Sequence, residues 1–380
     1  MTDDTSVKRK KRKKRKRRVR LPVWAQPAVT ALVEGAVSAS TLAGLDRSSA
    51  VAGKLGGAFG RMPFNRKRFG RAMDHILEVF PDMPREERAD LALQAYRHLF
   101  RLAIELTVFP RVNHDTFWNH IELGDVEESL DQLREQRPMI LITSHAGNWE
   151  LLGHAMCLIG APVHAVYRKL DNASLDRWVR ETRSRSGLTL VDKFGATIEV
   201  PRLLDAGLPV GFIADQNAGD GGLFVPFFGR MTSTYKSIGV LALAHKARIV
   251  CGQAIRLSGS SPLSTPQRTS VELDRSLRYR LDIVDVIEPE AWANQPDQLF
   301  YITARYRRAI EKMVVAAPEQ YLWMHRYWKS RPRWEREGKP FPRRIADKLR
   351  ELPWMTEQEV QRIIERSERD AADWAAGVKP

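Results

Sequence analysis

The chain has 380 residues, of which 43% are hydrophobic and 28% are charged, and its formal net charge is +15. This is the composition of a globular protein that can bury a large core. Twelve of the thirteen residues from Lys8 to Arg20 are positive, and the rest of the chain is near +3, which excludes a basic nucleic-acid-binding body. The only cysteines, Cys157 and Cys251, lie in apolar contexts, which excludes a disulfide framework or a zinc cluster and fits a reducing compartment.

The first 45 residues are predicted to attach the protein to a charged surface. Residues 1–20 form a polybasic tail that is disordered by composition and attracts polyanions: anionic lipid, acidic protein or RNA. Residues 21–45 contain one charge, Glu34, and are interrupted by Pro22 and Pro27. We interpret them as a weak membrane-associated or interfacial helix, and a buried Ala-rich helix stays an open alternative.

Two helices are predicted next, at Arg66–Phe80 and Arg85–Val108, separated by a Pro-rich stop. Glu105 stands on the apolar face of the second helix. A carboxylate in that position is more typical of a structural group than of a catalytic one.

A short apolar run, Met139–Thr143, predicts a buried strand, and Asn148 is a helix cap for the residues that follow. Between them lies His145, and Glu150 falls in the first turn of the predicted helix. On one continuous helix these two side chains would diverge, so they can meet only if His145 lies on the preceding turn. A histidine oriented by a carboxylate is a general base near neutral pH, and free amides at the helix start could favour developing negative charge.

Two other readings of the same residues stay open. His145 could be an ordinary turn histidine with a solvated Glu150 beside it. Alternatively, His145, Glu150 and His154 could form a metal site of two histidines and one carboxylate, although no H-E-x-x-H pattern is present.

From Ile121 onward, predicted strands and helices alternate. Strands are expected at 139–143, 163–167, 189–191, 210–214 and 248–251, and helices at 149–159, 174–184, 198–205 and 236–245. This alternation predicts an α/β fold with a mostly parallel or mixed central sheet flanked by helices, a helical N-terminal region and a C-terminal helical appendage. Sites in such folds lie beyond the carboxyl ends of the strands, where His145, Arg168 and Asp215 fall.

The C-terminal third is less regular. Residues 258–269 are predicted to be a loop, 279–286 an edge strand and 298–316 a helix. Thr356 and Glu359 form the capping box of a helix that reaches about residue 374. We therefore divide the chain into a tail (1–20), a weak membrane helix (21–45), a main domain (46–332) and a C-terminal extension (333–380).

Four segments resemble the late acyltransferases of lipid A biosynthesis, the Kdo-dependent lauroyl and myristoyl transferases of the His-x4-Asp/Glu glycerolipid acyltransferase superfamily. They carry the sequences SHAGNWE (144–150), VYRKLDNASLDRWVRETR (166–183), ADQNAGDGGLFVPFFGRMTST (214–234) and PEQYLWMHRYWKSRP (318–332). Their order and spacing match the family over residues 60–332. The weak membrane helix, the polybasic tail, the C-terminal extension and Tyr327, where a second arginine is common, depart from the common pattern.

The resemblance implies a glycerolipid acyltransferase-like domain in which His145 is the general base and Glu150 orients and charge-balances it. It implies that an acyl thioester on acyl carrier protein gives its chain to a hydroxyl of a lipid A precursor. No acyl-enzyme, metal or resident cofactor is implied. Substrate binding is implied for Arg168, Asp215, Gln216, His325 and Arg326.

The resemblance also implies a location at the cytoplasmic face of the inner membrane. From its composition the basic tail is expected to lie on an anionic surface there, and no specific nucleic acid is expected as partner. Another glycolipid or a phospholipid as acceptor, with acyl-CoA as donor, is the alternative with the same chemistry. The aromatic run Phe224–Phe228 is expected to line an acyl groove, touch the bilayer or pack in the core. In the fourth segment Trp323 and Trp328 suit a membrane interface or, equally, the core.

Overall fold

The computed structural model describes residues 42–378 except 125, 127–134, 136, 171, 186 and 258–276, together with residues 31, 35 and 38. The polybasic tail, nearly all of the weak membrane helix and the predicted loop at 258–269 lie outside the described residues. Among the helices that are described, none has the length and apolar character needed to cross a bilayer.

The described elements begin with a helical region. It contains α1 (Leu45–Arg61), α2 (Arg66–Val79), α3 (Arg85–Glu105) and the short α4 (Phe117–His120). Glycines let α1 pack closely on α3: a Cβ added at Gly56 would lie 2.5 Å from the Tyr96 carbonyl oxygen.

An alternating region follows. Its elements are β1 (Ile121–Leu123), β2 (Met139–Thr143), α5 (Trp149–Leu158), β3 (His164–Tyr167), α6 (Ala173–Ser184), β4 (Thr189–Asp192), α7 (Ala196–Asp205), β5 (Val210–Ile213), β6 (Leu223–Phe227), β7 (Arg230–Thr234), α8 (Lys236–His245), β8 (Arg248–Arg256) and β9 (Tyr279–Ile287). The C-terminal region is helical, with α9 (Pro289–Ala293), α10 (Gln298–Ala316), α11 (Arg333–Arg336), α12 (Arg343–Arg350) and α13 (Glu357–Ala375).

Within the described residues, seven strands form one sheet in the order β1-β9-β8-β2-β5-β3-β4, and β6 and β7 form a separate hairpin. Five neighbouring strands, from β8 through β4, are parallel, whereas β9 runs antiparallel to β8 and parallel to β1. The predicted α/β class, with a mostly parallel mixed sheet and helical N- and C-terminal regions, is therefore confirmed. The prediction that 279–286 forms an edge strand is wrong, because the three-residue β1 pairs with its outer side.

The C-terminal helices share the main core with the sheet. Leu349, Val360 and Ile363 are buried in the same cluster as strand residues of β2 and β5. Asp370 on α13 accepts two hydrogen bonds from Arg230 of the β6–β7 hairpin, at 2.7 and 2.8 Å, and one from Arg331 at 2.7 Å. This buried ion cluster fixes α13 against the hairpin.

Candidate active site

The strand register brings a histidine and a carboxylate together at the carboxyl edge of the sheet. Thr143 at the end of β2 pairs with Ile213 at the end of β5. His145 and Asp215 each follow two residues later, so they lie opposite one another. His145 Nδ1 donates to Asp215 Oδ1 at 2.7 Å, and the His145 backbone amide donates to Asp215 Oδ2 at 3.1 Å.

This contact decides the protonation of both residues. Burial alone would raise the pKa of Asp215, but the charge and hydrogen bonds of His145, together with the charge of Arg307, lower it to about 2. Burial opposes the charge of His145, yet the Asp215 carboxylate and the nearby Glu150 raise the pKa of His145 above 6.5. Because the ionised Asp215 can only accept, Nδ1 carries the proton, and the Nε2 lone pair of neutral His145 can accept one.

The turn that carries His145 is held by buried polar groups. Gly147 has a φ of 62°, and a Cβ there would lie 2.0 Å from the Ala254 carbonyl oxygen. Asn148 caps α5 by accepting from the Leu151 amide at 2.9 Å and donates from Nδ2 to the buried Glu105 carboxylate at 3.1 Å. Glu105 also accepts from the Tyr279 hydroxyl at 2.5 Å, which fits its predicted structural role.

Backbone amides around His145 tie its turn to neighbouring segments. The Gly147 amide donates to the Gln320 carbonyl at 3.1 Å, and the Asn148 amide donates to the Ala254 carbonyl at 2.8 Å. With the Leu151 amide bound to the Asn148 side chain, three of the amides near His145 already have acceptors. They hold the turn in place rather than face an incoming charge.

Residues from the fourth segment complete the surroundings of the His145 ring. Ala146 forms an isolated antiparallel bridge with Tyr321, and the Leu322 amide donates to the His145 carbonyl at 3.1 Å. This pairing stacks the His325 ring on the His145 ring, with centroids 5.2 Å apart and planes 22° apart. Burial, followed by the charge of His145, lowers the pKa of His325. A neutral His325 therefore lies beside His145.

Glu150 contacts a different partner from the predicted one. Its carboxylate accepts two hydrogen bonds from Arg183, from Nε at 2.8 Å and from Nη2 at 2.5 Å. The expectation that Glu150 orients the His145 ring is thus wrong, because Asp215 makes that contact. Glu150 still acts on His145 through its charge.

The structure does not bring His145, Glu150 and His154 together as metal ligands. His154 Nε2 donates to the Val112 carbonyl at 2.7 Å, away from the other two. Within the described residues, no cluster of three or more His, Cys, Asp or Glu residues could hold a metal ion.

Comparison with known proteins identifies the family. The sequence profile described as bacterial lipid A biosynthesis acyltransferase matches residues 26–330. The chain belongs to this family.

Individual relatives agree with the profile. The chain is 29% identical over 288 residues to the lipid A biosynthesis palmitoleoyltransferase of Escherichia coli (strain K12), covering 73% of this chain and 85% of that protein. It is 25% identical over 296 residues to the lipid A biosynthesis lauroyltransferase of the same organism, covering 76% and 87%. It is 24% identical over 285 residues to a lipid A biosynthesis acyltransferase of Haemophilus influenzae, covering 73% and 83%.

The other predicted binding residues of this lipid A acyltransferase family member lie in different surroundings. Arg168 is exposed just beyond β3, and Gln216 is half-buried next to Asp215. Arg326 is exposed and lines a cleft of about 1270 Å³ together with Arg71 and His75. His145 does not line that cleft.

The aromatic residues of the third and fourth segments belong mainly to the core. Val225 and Phe227 of the hairpin are fully buried. Trp323 and Trp328 are at most 2% exposed. Sequence reasoning missed Arg183, although it ends the second matching segment. The available signal was its place on the predicted helix 174–184, which follows the strand that ends at Tyr167, and the Arg183 guanidinium lies over the Tyr167 ring.

Proposed function

We propose that this protein transfers a fatty acyl chain from an acyl thioester to a hydroxyl of a lipid A precursor. The observation that carries the proposal is the His145–Asp215 pair at the carboxyl edge of the sheet, in a chain of the lipid A acyltransferase family. The names of the relatives support an acyl chain as the group transferred and lipid A as the class of acceptor.

In this proposal His145 is the general base. Its Nε2 takes the proton of the acceptor hydroxyl while the hydroxyl oxygen attacks the thioester carbonyl carbon. A new ester C–O bond forms, the C–S bond breaks, and the proton on Nε2 passes to the departing thiolate. Asp215 keeps the ring in the productive tautomer and stabilises the transient imidazolium.

The protonation of the two cysteine thiols supports direct transfer of the acyl chain from the thioester to the acceptor. Burial raises the pKa of the Cys157 thiol, and it raises that of the fully buried Cys251 well above 9. Neither thiol is activated as a nucleophile, so a covalent acyl-enzyme is not part of the proposal.

Glu150 and Arg183 are proposed to support the base from the opposite side. The bidentate pair fixes the carboxylate at the first turn of α5, where its charge favours protonated His145. Arg168, Gln216, His325 and Arg326 are proposed to contact the substrates.

The remaining expectations are proposals as well. Acyl carrier protein is the proposed donor, and the acyl thioester is a co-substrate, so no resident cofactor is invoked. The cytoplasmic face of the inner membrane is the proposed location, with the basic tail on anionic lipid.

The test is direct. Purified protein is incubated with acyl carrier protein or coenzyme A thioesters and with lipid A precursor, another glycolipid or phospholipid, and products are identified by mass spectrometry. We expect acyl transfer from the carrier protein to the lipid A precursor, and a loss of at least about 100-fold in kcat for His145→Ala. Equal rates for the wild type and His145→Ala would overturn the assignment of the base, and product from the other acceptors alone would overturn that of the substrate.

A further inference from the structure

Large apolar side chains are exposed along the sheet edge that carries His145. From β2 outward the strand order is β5, β3, β4, and these strands are parallel, so their carboxyl ends lie along one edge. Ile213 ends β5, Leu170 follows β3 by three residues and Phe194 follows β4 by two. Their exposed fractions are 37%, 42% and 86%, so exposure is greatest at the outermost strand.

Phe194 is held in the solvent by a defined turn. Its amide donates to Asp192 Oδ1 at 2.9 Å, and the Gly195 amide donates to the Asp192 carbonyl at 2.9 Å. The Lys193 amide donates to the Tyr167 carbonyl at 2.8 Å, which ties the turn to β3. Ile198 in the first turn of α7 is 64% exposed. A fixed turn that presents two large apolar side chains to water indicates a contact surface.

The charges around this turn are mostly positive. Arg168, Lys169, Arg180 and Lys193 are exposed on the adjoining turns and on α6. Three carboxylates accompany them: Asp192, which pairs with Lys169 at 3.1 Å, and the exposed Glu181 and Glu199, while Arg177 is a further exposed cation on α6. The balance favours a negatively charged partner.

We propose that the turns after β3 and β4, with Leu170, Phe194 and Ile198 at their tips, dock on the surface of an anionic lipid bilayer. Single apolar side chains on a turn with cations beside them suit the headgroup region, where the apolar groups enter the acyl boundary and the cations meet phosphates. The docked edge carries His145 close to the bilayer, so an acceptor lipid can reach it without leaving the membrane. The inference rests on the proposed function only in taking the acceptor to be a lipid.

A labelled residue tests the contact directly. Phe194→Cys and Val315→Cys are made in a Cys157→Ala background and labelled with a dye whose emission depends on polarity. Val315 is 53% exposed on α10 and serves as the matched control. With vesicles of phosphatidylethanolamine and phosphatidylglycerol, emission at position 194 should shift to shorter wavelength while emission at 315 stays constant. This readout is specific to the turn, even though the basic tail also attracts these vesicles. Equal behaviour at the two positions would overturn the proposal.

An activity comparison separates this inference from the proposed function. For Phe194→Ser/Ile198→Ser we expect about tenfold less acyl transfer to acceptor embedded in vesicles, and transfer within about twofold of wild type to acceptor in detergent micelles. The control variant, Val240→Ser/Val315→Ser, should match wild type with acceptor in vesicles and with acceptor in micelles. Wild-type protein that is inactive in both systems contradicts the proposed function. An active wild type with an unaffected double variant contradicts only the docking surface, and a raised KM for the acyl carrier in micelles would assign the surface to that acidic partner instead.

Discussion

At the scale of single residues, the partner of His145 determines the pH at which it can act. Asp215 supplies the largest contribution that raises the pKa of His145, and it does so against the opposing effect of burial. Neutral His145 is the reactive form in the proposed mechanism. Activity should therefore fall on the acid side as pH drops below this raised pKa.

Replacing Asp215 with Asn should shift the acid limb of the pH–rate profile, the range in which protonation of His145 lowers activity. Without the carboxylate, burial dominates and lowers the pKa of His145, so the acid limb of kcat/KM shifts to lower pH. At the optimum the rate should fall by about 10²–10⁴-fold, because the tautomer is no longer held. Asp205→Asn is the control, since Asp205 makes the same 2.7 Å contact with His245 but is 70% exposed. An unchanged pH profile in Asp215→Asn would contradict the assigned role.

Glu150 and Arg183 should behave as one unit. Glu150→Gln and Arg183→Met should each lower kcat, and the double variant should be little worse than either single one, because each removes the same bidentate contact. The coupling is measured from kcat values in a double-mutant cycle. Additive losses would mean that the two residues act independently.

At the scale of elements, helix α13 is fixed to the β6–β7 hairpin by Asp370. This carboxylate is 4% exposed and pairs with Arg230 and with Arg331, whose side chains are 10% and 1% exposed. The pairing joins an element near the chain's end to the core next to the fourth segment.

Removing that carboxylate should destabilise the protein. In Asp370→Ala, the guanidinium groups of Arg230, Arg331 and Arg366 lose a buried partner, and we expect a loss of about 3–5 kcal/mol in the free energy of unfolding. Asp373→Ala, three residues along the same helix and exposed, should change it by less than about 0.5 kcal/mol. Urea titration measures both values, and equal values for the two variants would contradict a structural role for the cluster.

Local patterns predicted most elements but not how strands pair. The bounds of β2 and α8 agree with the prediction residue for residue, because each is a short apolar segment between turn signals. The placement of 279–286 at an edge failed, since nothing in its own sequence reveals that β1 lies outside it. The same limit hid the His145–Asp215 contact, which follows from the register of β2 with β5. The sequence alone points to Glu150 as the partner of His145, because Glu150 lies nearer to it in the chain.

At the scale of the whole molecule, buried neutral histidines make stability depend on pH. Burial lowers the pKa of His75 to about 4, and burial with the charge of Arg256 lowers that of His98 to about 3. The unfolded chain, with pKa values near 6.5, binds more protons than the folded one below that pH. Stability therefore decreases as pH falls from 6.5 toward 4. His145, with its raised pKa, contributes in the opposite direction and stabilises the folded state at low pH.

Unfolding in urea at pH 6.5 and pH 5 tests this dependence. Each of the two histidines should account for a loss of about 1.6 kcal/mol over that interval. In His98→Gln the free energy of unfolding should decrease less between pH 6.5 and pH 5, by the part that His98 contributes. His114 is exposed, so His114→Gln should leave that decrease unchanged. A decrease of the same size in His98→Gln would contradict the assignment.

His145 and Asp215, the pair proposed to be catalytic, lie 70 positions apart, and β5 lies between β2 and β3 in the sheet. A growing chain that has formed β2, β3 and β4 already presents the histidine but lacks its acid. The contact between His145 and Asp215 therefore exists only once β5 is paired with β2, and β5 lies between two strands that precede it in the chain. Under the proposed function, we expect a copy in which β5 is unpaired to lack an oriented base and to leave lipids unmodified.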